Sequence, residues 1–264
     1  MKLSVYHATT YRYAEPVARS TQYIRMTPVS NNRQRVLEWQ LDLPTRSIQL
    51  PDAFGNLTNL MTLSRAHDSI EIVGTGTVEV PDVDDGEPAD LVNPRVFLRD
   101  TALTEPDAAI IAFCEPMRKG VGGRPLIGTT DLMTAVQQVL PLKPGITDAE
   151  TTAAQAFERA GGAVQDQVHV FLACCRHLGL PARYVSGYVY TADRAAVASR
   201  AWSEVWIGNR WVGFDVSLGS NAEGGHIKLA VGLDYRDASP VRGIRLGGGE
   251  EVLSTASQVR RTGL

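Results

Sequence analysis

The sequence predicts an α+β protein: an antiparallel β-sandwich over residues 1–95, then a core of helices packed on an antiparallel sheet over 96–264. Three observations lead there. The first eighty residues are short alternating runs separated by turn signals. The stretch from Gly161 to Tyr190, GGAVQDQVHVFLACCRHLGLPARYVSGYVY, reads as one buried helix feeding directly into a strand. Two Val- and Trp-rich runs flank Gly208-Asn209, a two-residue hairpin signal.

Taken in order, Leu3, Val5, His7 and Thr9 alternate with Lys2, Ser4, Tyr6 and Ala8. Gln22 to Met26, Val36 to Leu43, Leu57 to Leu63 and Ser69 to Val80 are further strand candidates, with a turn at Asp52 to Asn56. Pro81 to Pro94 carries Asp82, Asp84, Asp85, Glu87 and Asp90 among Pro and Gly, and reads as a solvated linker; it lacks the spacing of a calcium loop. Thr104-Glu105-Pro106-Asp107 reads as a helix start capped by Thr104. Thr130-Asp131 opens a second helix to about Leu140, and Asp148 a third over Ala149 to Ala160.

Next comes the organising helix. Val164, Val168, Phe171, Cys175 and Leu178 recur at helical spacing, and Leu178-Gly179-Leu180-Pro181 ends the run, because Gly takes the left-handed position and Pro cannot continue. Ala182 to Tyr190 follows as a strand. Ala201 to Ile207 and Arg210 to Val216 form the hairpin, and Ile227 to Asp234, Val241 to Leu246 and Val252 to Arg260 are three more strands.

Several classes of function are excluded by composition. The balance of 26 basic and 29 acidic residues implies no nucleic-acid partner and no anionic membrane surface. No apolar run is long enough to span a bilayer, and the alternating start MKLSVYHATTYRY is not a signal peptide. Three cysteines, two of them adjacent, make no disulfide framework and suit a reducing cytoplasm. No repeat or low-complexity segment is present. No metal-ligand or cofactor motif stands out, so neither is expected.

Three motifs then occur in order: Gly162-Ala163-Val164-Gln165-Asp166 at the helix start, Arg200-Ala201-Trp202 on the next hairpin's first strand, and Trp211-Val212-Gly213-Phe214-Asp215 on its second. This chain resembles the bacterial transglutaminase-like branch of the papain-like cysteine enzymes, and its first ninety or so residues resemble that family's N-terminal β domain. Members carry Gly-x-Cys-Gln-Asp, His-Ala-Trp and Trp-Val-Gly-x-Asp at these places. The resemblance implies a papain-like core and a Cys-His-Asp triad at positions 164, 200 and 215. Here those positions hold Val164, Arg200 and Asp215; only Asp215 matches.

The chemistry needs what is missing. A thiolate is the nucleophile, a helix N-terminus and a neighbouring His stabilise it, and an Asp orients the His. Valine has no nucleophilic atom, and arginine stays protonated and cannot act as a base. Losing a triad nucleophile costs on the order of 10⁶ in rate in a serine protease. No other residue substitutes by position. Cys174 and Cys175 lie roughly 15 Å further along the helix and read, like Cys114, as core. His169 reads as a surface or interface histidine and His226 as a turn histidine. Ser199 and Ser203 flank Arg200 without a helix start or a sequence-adjacent His.

A two-residue loop pairs Ile207 with Arg210 and Trp206 with Trp211, which puts Arg200, Trp202, Glu204 and Trp206 on one sheet face with Trp211, Gly213 and Asp215. On that face Arg200 is a diagonal neighbour of Asp215, about 7–8 Å away between backbones. A direct Arg200–Asp215 ion pair is therefore expected. The function expected is that of an inactive enzyme-like fold that binds or scaffolds a protein or peptide partner, with Trp202, Trp206 and Trp211 as interface candidates. Two rivals are an active peptidase or glutamine acyltransferase using other residues, and a different reaction run by the carboxylates Asp166, Glu204 and Asp215.

Overall fold

The structure is a computed structural model and describes residues 1–81, 86–88, 92–143, 145–191, 200–222 and 224–263. It contains two antiparallel sheets, and six α-helices among the described residues. The first sheet is built on β1 (Lys2–Ile24), β2 (Arg35–Asp42), β3 (Ser47–Pro51), β4 (Leu57–Leu63) and β5 (His67–Glu79), in the order β2-β5-β1-β4-β3. The α+β class is as the sequence predicts. The expected sandwich takes the form of one sheet with two sections, both threaded by the 23-residue β1. Its first half pairs with β5, and its second half with β4 over Ser20 to Ile24. The pairing with β5 shifts between Arg12 and Val17. A bulge of this kind bends a strand and lets one chain serve two sheet sections.

The second sheet holds β6 (Ala182–Val189), β7 (Arg200–Ile207), β8 (Arg210–Asp215), β9 (Ser220–Asn221) and β10 (His226–Gly232), in the order β10-β6-β7-β8-β9. The hairpin register is the expected one, from Ile207–Arg210 to Ser203–Phe214. Gly208 and Asn209 both sit at positive φ, 59° and 63°, as a tight primed turn requires.

The last two strands, β11 (Val241–Gly247) and β12 (Glu251–Arg261), go elsewhere. Both return to β1, β12 along its first half and β11 along its second. A division of the chain at residues 95/96 puts them with the second sheet; hydrogen bonding puts them in the first.

Helices α1 (Ala108–Cys114), α2 (Arg118–Gly123), α3 (Pro125–Val139), α4 (Ala153–Glu158), α5 (Val164–His177) and α6 (Tyr235–Ala238) complete the fold. Three helix starts differ from the sequence expectation. Asp107, not Thr104, caps α1 by accepting from Ile110 N, while Thr104 is buried and accepts from Arg176. Helix α3 begins at Pro125, whose fixed φ suits a first turn. Helix α4 begins at Ala153 behind a Thr152–Gln155 capping box.

Helix α5 forms where predicted and is buried along most of its length, with Val168, Phe171, Cys175 and Leu178 in the main core. Ala201, Val205, Phe214 and Val216 pack into the same core, which fixes the predicted inner face of the hairpin. At the far end of α5, buried Arg176 donates to the carbonyls of Phe97, Ala182 and Leu233 and to Thr104 Oγ1. Its side chain thus satisfies acceptors from four segments, at the cost of burying a cation. Burial pulls the guanidinium pKa down to about 10, so it stays charged at neutral pH.

Candidate functional site

Val164 is the first residue of α5. The turn into the helix is held by Asp166, whose Oδ2 accepts from Ala163 N at 2.7 Å and from Thr147 Oγ1 at 2.6 Å. Gly162 must be glycine for this cap, since a Cβ there would lie 2.5 Å from Asp166 Oδ2. Burial raises the Asp166 pKa, and the two hydrogen bonds work against that.

Val164 and Arg200 line one cleft of about 300 Å³, with Gln165, Tyr184, Ser186 and Tyr235. Asp215 is not on that cleft. The predicted Arg200–Asp215 ion pair does not form. Asp215 is fully buried and accepts from Ser217 Oγ (2.6 Å) and Leu218 N (3.1 Å) on Oδ1, and its Oδ2 lies 3.1 Å from His226 Nε2. The turn after β8 wraps the carboxylate with its own donors, and the antiparallel partner of Val189 on β10 supplies the imidazole. A diagonal neighbour 7–8 Å off cannot compete with donors already in contact. Burial pushes the Asp215 pKa up, but His226, Ser217 and Leu218 together hold it below the ordinary carboxylate value.

His226 is therefore more than a turn residue. It forms a base–carboxylate pair with Asp215, meets Trp202 edge-on at 5.0 Å between centroids, and lines a second pocket with Tyr190, Leu218, Ser220 and Asn221. In the sequence it stood only as a residue just before a strand. His169 is corrected too. It is fully buried, not on the surface, and its Nε2 accepts from Tyr235 N at 3.2 Å.

Burial lowers His169 to a pKa of about 4 and does the same to His7. Both imidazoles are neutral when folded and titrate near 6.5 when unfolded. The unfolded chain then takes up protons first, so stability falls as pH drops from about 6.5 to about 4. The slope should reach about 1.4 kcal/mol per pH unit for each imidazole. Urea midpoints at pH 7 and pH 5 measure this. His169→Gln, which keeps an acceptor for Tyr235 N, should flatten the dependence; an unchanged slope in both His169→Gln and His7→Gln would refute it.

The remaining candidates separate. Cys114, Cys174 and Cys175 are all free and in the core. Burial pushes the Cys175 thiol far up; Cys174, hydrogen-bonded to Cys114 and buried, is also raised. Ser203 is fully buried, and Ser199 lies outside the described residues. Of the three candidate tryptophans, Trp202 and Trp211 are buried and Trp206 is partly open, so they are shielding and core, not an exposed platform. Asp166, Glu204 and Asp215 sit in three different networks and do not form a joint acid–base site.

Glu204 belongs to an ionic cluster that the sequence did not reveal. Its Oε1 meets Arg33 Nη1 at 3.2 Å and Lys228 Nζ at 2.7 Å, and its Oε2 accepts from Arg183 Nε at 2.7 Å. Glu87 joins through Lys228 and Arg183, so it is buried and paired, not a solvated linker charge. Asp82, Asp84, Asp85 and Asp90 lie outside the described residues. Arg183 stacks on Trp211 at 4.2 Å. The cluster ties the first sheet's β1–β2 connection to β6, β7 and β10.

Residues 129–216, which include Val164, Arg200 and Asp215, match the model of the transglutaminase-like superfamily, and residues 3–79 match that of the bacterial transglutaminase-like N-terminal region. The chain belongs to the transglutaminase-like superfamily. Among relatives of this transglutaminase-like chain, an uncharacterized protein of Mycobacterium leprae is 28% identical, covering 98% of this chain and 99% of that one. An uncharacterized protein of Mycobacterium bovis is 26% identical over 91% of this chain and 86% of its own length. The crystal structure of a candidate cysteine protease from Cytophaga hutchinsonii superposes with a TM-score of 0.77 at 18% identity, covering 100% of this chain and 92% of that chain. That likeness is one of fold. Among the described residues no helix is long and apolar enough to cross a membrane.

Proposed function

We propose that this transglutaminase-like chain is a non-catalytic member of its superfamily that binds a peptide or protein segment, as a partner or scaffold. Val164 and Arg200 then occupy the nucleophile and base positions. The observation that carries this reading is Val164 at the first turn of α5, where the family's acyl-transfer chemistry needs a thiolate. The chain's three thiols lie in the core, where they meet no substrate. Free thiols of this kind also favour a reducing compartment, the cytoplasm.

The purified protein should release no ammonia from glutamine peptides, form no amide with added amines, and cleave no peptide bond above an Asp215→Ala control. Turnover that survives repeated purification and disappears in that control would overturn the reading. A second reading rests on the His226–Asp215 pair beside the Ser220 and Asn221 pocket: an acid–base hydrolase that does not use position 164. Turnover abolished by His226→Gln, with folding intact, would favour it.

A further inference from the structure

The cleft at the start of α5 holds a cation whose side chain pairs with none of the described residues. Arg200 is half-buried on its wall, and while its backbone pairs opposite Gly187 of β6, its guanidinium makes no hydrogen bond or ion pair with any described residue. The other buried or half-buried arginines among the described residues are all engaged: Arg25 with Asp52, Arg33 and Arg183 with Glu204, Arg236 with Glu150, Arg176 with backbone carbonyls. Desolvating a guanidinium part-way without an acceptor is costly, and an acceptor supplied from outside recovers that cost. The two nearest carboxylates by sequence motif are both committed, Asp166 to its helix cap and Asp215 to His226.

The rest of the cleft shows what such an acceptor is attached to. Tyr184 and Tyr235, 6.2 Å apart between ring centroids, form an aromatic wall, and Val164 and Pro240 add apolar surface. Val164 N and Gln165 N, at the first turn of the 14-residue α5, donate to no described residue. A guanidinium fork matches the two oxygens of a planar carboxylate. A volume of about 300 Å³ suits one amino-acid side chain or chain end.

We propose that this cleft binds a peptide carboxylate, from an acidic side chain or a free C-terminus, with Arg200 as its counter-ion. Such binding presupposes the non-catalytic reading above, because a carboxylate is what acyl transfer leaves behind, not what it consumes.

The test is a titration of the ¹⁵N-labelled full chain, followed at its backbone amides and arginine Nε–H signals. The probes are N-acetylglutamic acid amide, N-acetylalanine, N-acetylglutamine amide and inorganic phosphate. Either carboxylate probe should shift Val164, Gln165 and Arg200 saturably, and the tighter one identifies the source as side chain or chain end. Arg200→Met should weaken that probe by at least about tenfold, and Arg200→Lys, which keeps charge without the fork, by less. No saturation at tens of millimolar, an equal response to the glutamine amide or phosphate, or binding unaffected in both variants would overturn the proposal. Turnover of a glutamine peptide would instead overturn the non-catalytic reading, so the two failures are distinguishable.

Discussion

Glu204→Gln should destabilise the protein by about 3–5 kcal/mol, read as a loss in the urea midpoint at pH 7. The carboxylate is fully buried and touches three cations from three parts of the chain. Burial alone would push its pKa up, but Lys228, Arg183 and Arg33 outweigh it and hold the carboxyl far below the ordinary 4.5. The sign follows from that direction. A depressed carboxylate pKa contributes stability above the unfolded value, near 4.5, and loses it as pH falls below that. This window opens near the lower end of that of His169 and His7, so the loss above about pH 5 reports the histidines and the loss below about pH 4 reports Glu204. Glutamine keeps the shape and removes the charge, leaving Arg183 and Lys228 in a site built for an anion. Lys228→Met should cost less, because Glu204 keeps two arginine partners. A loss under about 1 kcal/mol for Glu204→Gln would mean that the cluster is solvated and behaves as a surface pair.

How much of this was legible in the sequence depends on how local each determinant is. Helix α5 was legible because its periodicity, its glycine turn and its Gly179 stop lie within twenty residues. The hairpin register was legible because a two-residue turn fixes it. The return of β11 and β12 to β1 was not, since nothing within either strand states its partner, and the pairing spans most of the chain. Strand β3 was missed because Gln49 and Pro51 dilute the apolar pattern, which an edge strand tolerates. Within the site, the residue identities at 164, 200 and 215 were plain; the structure places 164 and 200 on one cleft and 215 off it. The Arg200–Asp215 expectation failed because reach was treated as contact. Ser217 and Leu218 follow Asp215 in the turn, and His226 arrives from a strand whose register the hairpin does not set. The same long-range blindness hid Glu87 within an acidic stretch and buried His169 behind Tyr235.

Val164→Cys should convert a thiol-inert protein into a thiol-reactive one without making it an enzyme. In the native fold Cys114, Cys174 and Cys175 are sealed in the core, so iodoacetamide should label none of them until the chain unfolds. A cysteine at 164 would sit at the positive end of α5, on the same open cleft as the Arg200 guanidinium. Both favour the thiolate, and cysteines so placed have pKa values of about 3.5–7.5 against about 8.5 for a free thiol. Labelling at pH 7 should therefore be complete at one site and faster than that of a free cysteine peptide, by up to about tenfold, since the larger thiolate fraction is partly offset by lower nucleophilicity. Glutamine-peptide turnover should still be absent, because Arg200 cannot move a proton. Adding Arg200→His supplies an imidazole but not its orienting carboxylate, since Asp215 is already bound by His226. The double variant should label quickly yet turn over far below a complete triad, and a third change, His226→Ala, should raise turnover by releasing Asp215. Labelling of the wild-type core thiols at the same rate would refute the burial argument. Full turnover in Val164→Cys/Arg200→His without the third change would refute the assignment of Asp215 to His226.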